Sequence, residues 1–137
     1  SAAESVQRRQ RWEQIARNAA KQCGAAWLPA IGTPVPIGRL TPLLREQDVF
    51  WFGALSGQAI PLAQVVVAAR ARVPRRLGIM IGPEGDMTAE ETAMLVAAGG
   101  IPVSFGPRTL RTETAALFAL SVLNYEFLAS SARVGQG

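Results

Sequence analysis

An α/β fold with a mostly parallel sheet and flanking helices is predicted by two observations. The stretch from Leu77 to Leu128 reads strand, loop, helix, strand, loop, helix, and that alternation builds parallel sheets with helices on their faces. Each loop is also a Gly-Pro turn that follows an apolar run directly. Leu77-Gly78-Ile79-Met80-Ile81 leads into Gly82-Pro83-Glu84-Gly85-Asp86, and Ile101-Pro102-Val103-Ser104-Phe105 leads into Gly106-Pro107-Arg108-Thr109-Leu110-Arg111-Thr112-Glu113-Thr114. Both turns leave the carboxyl ends of buried strands, the edge at which open α/β sheets bind ligands. Glycine lets backbone approach a ligand closely and proline holds the turn, so the two loops are expected to wall one pocket.

From the start, residues 1–24 read as a helix, with Trp12, Ile15, Ala16, Ala19, Ala20 and Cys23 at helical spacing and Gly24 as its stop. Arginines 8, 9, 11 and 17 and Lys21 fill much of the rest, a pattern that is usually a solvated face. Cys23 reads as a small core residue rather than a reactive thiol. Trp27–Ile31 is a short strand candidate interrupted at Pro29, followed by an irregular Gly- and Pro-rich connection to Pro42. A short helix is expected over Pro42–Gln47 and a strand over Val49–Phe52, ended by Gly53. Ala54–Gln58 is a loop, and Leu62–Ala71 fits either a helix or a strand-like apolar run. Arg70, Arg72, Arg75 and Arg76 then form the densest basic patch, readable as a solvated linker or as an RNA contact.

Thr88-Ala89-Glu90-Glu91 has the spacing of a capping box and opens a helix to about Ala98, stopped by Gly99-Gly100. The last helix is expected from Thr112 to about Ala129, with Ala116, Leu120, Leu123 and Phe127 as its apolar stripe and a fraying tail after Ser130.

Composition narrows the class. At 137 residues, 49% apolar and 18% charged, the chain fits one folded domain over residues 1–137 with a core of useful size. No apolar run approaches bilayer-spanning length and no signal peptide opens the chain, so no membrane association is expected. One cysteine and no histidine make a metal site unexpected and suit a reducing cytoplasm. The net charge of +4, largely arginine, is compatible with phosphate contacts.

Ile-Gly-Pro-Glu-Gly at 81–85, followed by Phe-Gly-Pro-Arg-Thr-Leu-Arg-Thr-Glu-Thr-Ala-Ala-Leu at 105–117, resembles the SPOUT class of knotted methyltransferases. Within it, the pair is similar to the RsmE family, which methylates N3 of a uridine in 16S ribosomal RNA. Ile15–Gly24 resembles that family's helix upstream of the site. The resemblance covers about Trp12 to Leu123, and lacks the family's N-terminal RNA-binding domain and first strand-helix unit. It implies a trefoil-knotted, N-terminally shortened methyltransferase domain, S-adenosylmethionine as cofactor, small-subunit ribosomal RNA as partner, and a homodimer.

The cofactor would be held by Phe52, Gly53, Ile81, Gly82, Pro83, Glu84, Gly85, Phe105, Gly106 and Leu110. Removing the N3 proton from uracil calls for a carboxylate, and the charge moving onto its oxygens calls for a cation. Glu113, Arg108 and Arg111 are the candidates, with Glu84 second. Glu113 also suits the first turn of a helix without catalysis. Two positions depart from the family pattern: Asp86 stands where a glycine is usual, and Ala25 where a basic residue is usual. A non-catalytic RNA- or ligand-binding module on the same core is the alternative. A third reading is an anion-binding α/β domain that uses helix N-termini.

Overall fold

Four short strands form one parallel sheet in the order β2-β4-β1-β3. The computed structural model describes residues 2–55 and 57–128. It divides into two compact units, Ser1–Leu40 and Thr41–Gly137.

The first unit holds α1 (Ala2–Cys23) and a 3₁₀ turn at Ile37–Arg39. Helix α1 ends where the sequence places its stop, with Gly24 at φ +67°. Its expected apolar face differs from the prediction. Only Ala20 is buried, while Trp12 is 43% and Ile15 57% exposed, and Cys23 is exposed rather than core. The strand expected at Trp27–Ile31 is absent. That segment enters no ladder, and Pro29 removes an amide that a ladder would use.

The second unit runs α2 (Thr41–Arg45), β1 (Val49–Gly53), β2 (Ile60–Pro61), α3 (Leu62–Arg70), β3 (Leu77–Met80), α4 (Ala89–Ala97), β4 (Ile101–Ser104) and α5 (Thr112–Leu123). Strand β1 pairs with β3 through Trp51↔Ile79 and with β4 through Trp51↔Ile101. Its side chains alternate between the two faces of the sheet. Trp51 points to the face covered by α3 and forms the core with Leu62, Val65, Val66, Ala69 and Val103. The 62, 65, 66, 69 spacing settles the open assignment as a helix, because it places all four side chains on one stripe. Burying each large side chain there is worth about 1.5–3 kcal/mol. Phe50 and Phe52 take the opposite face, their ring centroids 6.2 Å apart.

Helix α4 is closed at both ends by local chemistry. Thr88 Oγ1 accepts from the Glu91 amide at 3.1 Å, and Glu91 Oε2 accepts from the Thr88 amide at 2.9 Å, completing the expected capping box. At the other end the Gly99 amide donates to Val96 O and the Gly100 amide to Leu95 O, both at 2.9 Å. This is a Schellman ending, with Gly99 left-handed at φ +92°.

Helix α5 is rotated relative to the expected stripe. Ala115 and Ala119 are the buried positions, and Leu120 is 58% exposed. Leu123 and Phe127 do pack against the core, joined by Val122. Small side chains on the inner face let a helix approach closely, so the larger Leu120 is left outside. The chain continues as a π-helical turn at Asn124–Leu128. The predicted helix end at Ala129 and the tail after Ser130 lie outside the described residues.

Asp48 ties the start of β1 to the segment before β3. Its Oδ2 accepts from the Arg76 amide at 2.9 Å and the Arg75 amide at 2.8 Å. Those two bonds, from Arg76 first and then Arg75, hold its carboxyl below the ordinary carboxylate value, with a further contribution from the nearby guanidinium charges. A depressed folded-state pKa stabilises above the unfolded value of 3.8 and is lost as pH falls through the lower folded value. Asp48→Asn is therefore expected to unfold more readily than the wild type at neutral pH. The gap should narrow below the unfolded pKa, and acid titrations followed by circular dichroism at several denaturant concentrations measure it. A gap independent of pH would remove Asp48's charge from the account.

Candidate functional site

The strand order puts a topological switch at β1. Leaving β1 the chain reaches β2 on one side, α3 then carries it to β3 on the other, and α4 brings it back to β4, between β1 and β2. Crevices at the carboxyl ends of strands beside such a switch are where ligands bind in open sheets. A cavity of about 190 Å³ lies there.

Its walls come from three loops. After β1 come Gly53, Ala54 and Leu55; after β3 come Ile81, Gly82, Pro83, Glu84 and Asp86; after β4 the lining runs from Ser104 to Leu110, with Thr112 and Ala115 from the start of α5. The loops are cross-tied. The Leu55 amide donates to Asp86 Oδ2 at 3.1 Å, and the Thr112 hydroxyl donates to Gly82 O at 3.4 Å. The Asp86 amide closes its own turn on Pro83 O at 3.0 Å, with Asp86 at φ 64°. Aspartate tolerates that conformation better than most residues. The position where the family pattern has glycine therefore keeps the turn and adds an acceptor that fixes the neighbouring loop.

Phe105 forms the apolar side of the cavity. Its ring meets Phe118 edge-on, with centroids 6.1 Å apart, and it lies against Gly53, where a Cβ would come within 2.7 Å of Phe105 Cε2. Ser104 shapes the turn that follows: its hydroxyl donates to Gly106 O at 3.1 Å and accepts from the Gly106 amide at 3.3 Å.

Of the residues expected to hold a cofactor, Gly53, Ile81, Gly82, Pro83, Glu84, Phe105, Gly106 and Leu110 line this cavity. Phe52 is fully buried in β1 and Gly85 is exposed at the turn tip; neither lines it. Of the catalytic candidates, Arg108 lines the cavity and Arg111 and Glu113 do not. Arg111 occupies the N-cap position of α5 and Glu113 its first turn, where a carboxylate favours the helix dipole. Glu84 and Asp86 are the carboxylates in the lining. Asp86 and Thr112 belong to the two loops that the sequence singles out, whereas Ala54, Leu55 and Ala115 lie outside them. The bond from Asp86 to a loop 31 residues earlier has no local signature.

Among the described residues no cluster of metal-ligating side chains is present, and no helix is long and apolar enough to cross a membrane.

A parallel sheet with its cavity at a switch point, walled by Gly-Pro loops, defines an α/β ligand-binding domain. Its family follows from comparison: residues 2–124 match the RNA methyltransferase domain, and the chain belongs to that family. It is 32% identical over 121 residues to ribosomal RNA small subunit methyltransferase E of Bacillus subtilis, covering 87% of this chain and 47% of that one. A Legionella pneumophila protein solved with S-adenosylmethionine bound superposes with a TM-score of 0.78 at 28% identity, covering 91% of this chain and 49% of its own. Ribosomal RNA small subunit methyltransferase E of Neisseria gonorrhoeae, also bound to S-adenosylmethionine, gives 0.74 at 26% identity, covering 89% and 49%. The chain thus spans less than half the length of each of these relatives.

Proposed function

We propose that the chain is the cofactor-binding domain of a ribosomal RNA methyltransferase that uses S-adenosylmethionine, with N3 of a uridine in 16S ribosomal RNA as the position modified. The observation that carries the reading is the convergence of three cross-tied loops on one cavity at the carboxyl edge of the sheet. The lining suits the cofactor's chemistry. Ile81, Phe105 and Leu110 provide apolar surface for an adenine ring, and backbone groups of the Gly-Pro turns provide its polar edge contacts. Glu84 and Asp86 place negative charge in the lining, which suits a cationic sulfonium. The cofactor supplies an activated methyl group, and the protein supplies position and charge.

Asp86 Oδ2 ties two loops together through the Leu55 amide, so the other lining carboxylate, Glu84, is assigned as the group that accepts the uracil proton. Arg108 is the cation in the same lining, suited to the charge that develops on the uracil oxygens. In this reading Arg111 and Glu113 act from the rim, holding the start of α5.

A homodimer and a trefoil knot belong to the same proposal. The cavity's 190 Å³ is below the roughly 300–1,000 Å³ of ordinary small-molecule sites, and a wall from a second copy would enlarge it. Helix α5 leaves Leu117, Phe118 and Leu120 exposed on its outer side, an apolar surface of the kind that marks an interface. Gly53, Val103 and Ile60 lie in one row across β1, β4 and β2, so the chain passes from one side of β4 to the other between β1 and β2. A later segment passing under an earlier loop is the arrangement that a knot requires. Ribosomal RNA as substrate also implies a cytoplasmic protein.

Calorimetric titration with S-adenosylmethionine and S-adenosylhomocysteine, together with the mass in solution, tests this. Saturable binding of both by a dimer is expected. Arg108→Ala should keep binding and lose methyl transfer to unmodified small-subunit RNA by about 10²–10³, and Glu84→Gln should lose far more transfer than S-adenosylmethionine affinity. No binding by folded chain would overturn the reading, and full transfer by Glu84→Gln would remove that residue as the base.

A further inference from the structure

The opposite end of the sheet carries a second cavity, of about 300 Å³, at the amino ends of β1 and β4. Arg45, Asp48, Phe50, Arg72 and Gly99 are among its walls. It is separated from the first cavity by the length of β1, five residues or roughly 17 Å at ~3.3 Å per residue.

Its charge is unbalanced. Segments 45–48 and 70–76 bring five arginines and two carboxylates, Glu46 and Asp48. Arg70 is paired with Glu126 at 3.0 Å, and Arg76 reaches Glu46 at 3.7 Å between exposed side chains. Asp48 spends its carboxylate on the Arg75 and Arg76 amides. Arg45, Arg72 and Arg75 form no ion pair among the described residues. Helix dipoles do not account for all three. Arg45 sits in the last turn of α2, but Arg72 and Arg75 lie beyond the end of α3.

The patch is also held in place. The amides of Asp48 and Val49 donate to Arg76 O at 2.9 and 3.2 Å, so with the two bonds to Asp48 Oδ2 the backbone of residues 75–76 is clamped to the start of β1. The bend before it passes through Val73 at φ 47°, a strained conformation for a β-branched residue. A merely solvated linker has no need of a strained turn and a four-bond clamp. Both reduce the freedom of the arginines flanking them.

We propose that this end of the sheet is a second RNA contact, in which Arg45, Arg72 and Arg75 take backbone phosphates around the cavity. The proposal rests on the reading that the chain acts on RNA. Arginine's planar fork suits phosphate oxygens, and phosphate contacts fix the register of a nucleic acid without reading its sequence. RNA held here is anchored away from the nucleotide that enters the first cavity, which positions that nucleotide without occupying the reaction site.

The test is fluorescence anisotropy of a short labelled RNA over a salt series, with wild type, the triple variant Arg45→Gln/Arg72→Gln/Arg75→Gln, and the corresponding triple lysine variant. S-adenosylmethionine titrations of the same samples run alongside, and circular dichroism checks folding. The glutamine variant should bind RNA at least tenfold more weakly, and its salt slope should fall by about 2–3, at ~0.7–0.9 for each of three phosphate contacts. The lysine variant should keep the slope and lose part of the affinity, and cofactor binding should be the same in all three. Equal RNA affinity and slope in wild type and glutamine variant, no salt-dependent RNA binding by wild type, or equal competition by polyglutamate would each overturn the proposal. Arginine-dependent RNA binding without any cofactor binding would support it and sink the cofactor reading alone.

Discussion

Gly53→Ala is expected to weaken S-adenosylmethionine binding by about tenfold, roughly 1.4 kcal/mol, while the chain stays folded. The added Cβ would come within 2.7 Å of Phe105 Cε2, closer than such atoms approach, so the ring must move. Phe105 is already held edge-on by Phe118 and faces the cavity, which makes the cavity the available direction. The colliding atom is the far end of a side chain, so stability should fall by only about 1 kcal/mol. A double-mutant cycle with Phe105→Leu checks the cause, since the smaller side chain leaves room for the new methyl. Recovered affinity in Gly53→Ala/Phe105→Leu relative to Gly53→Ala supports the steric account. Additive losses would place the effect elsewhere.

Gly100→Ala should be the costliest single methyl in the sheet unit, at about 2–3 kcal/mol. The new Cβ would stand 2.8 Å from Leu95 O and 2.8 and 2.9 Å from two carbons of the Phe50 ring. Leu95 O cannot yield, because it accepts the Gly100 amide in the helix ending, and Phe50 is buried in β1. Gly99 is the informative control. Its φ is +92° with open space around its Cβ position, so Gly99→Asn meets a backbone cost without a clash and should lose less than Gly100→Ala. Denaturant midpoints measured at one temperature rank the two. The reverse order would mean that backbone conformation, rather than space, made this corner need glycine.

The pair Gly99-Gly100 marks where sequence reading reaches and where it stops. That two glycines end α4 is legible, because helix termination is local chemistry. Which one is needed for a left-handed backbone and which for clearance is decided by Phe50, some fifty residues away in the chain. The same division runs through the fold. The capping box at Thr88 and Glu91, the helix stop at Gly24 and the strands following Asp48, Arg76 and Gly100 depend on neighbours within a turn or on a run of apolar residues, and the structure has each of them. Strand β2 is two residues long and exists only through its pairing with β4, so no local pattern announces it. The Trp27–Ile31 segment has the composition of a strand but no ladder to join.

For the site, the sequence by itself determined the two Gly-Pro loops and the edge of the sheet they occupy, because a buried apolar run followed by a breaker fixes where a strand ends. Tertiary structure decided which side chains meet there. It put Arg108 and Glu84 in the lining with Asp86 and Leu55, and left Arg111 and Glu113 outside it. It also gathered Arg45 and Arg72 around a cavity at the opposite end of the sheet, where Asp48 ties the backbone of Arg75 and Arg76 to the start of β1. The physical reason is one of range. Backbone conformation is set within a few residues, whereas contact between loops depends on strand order, and here β4 lies between two strands formed earlier in the chain.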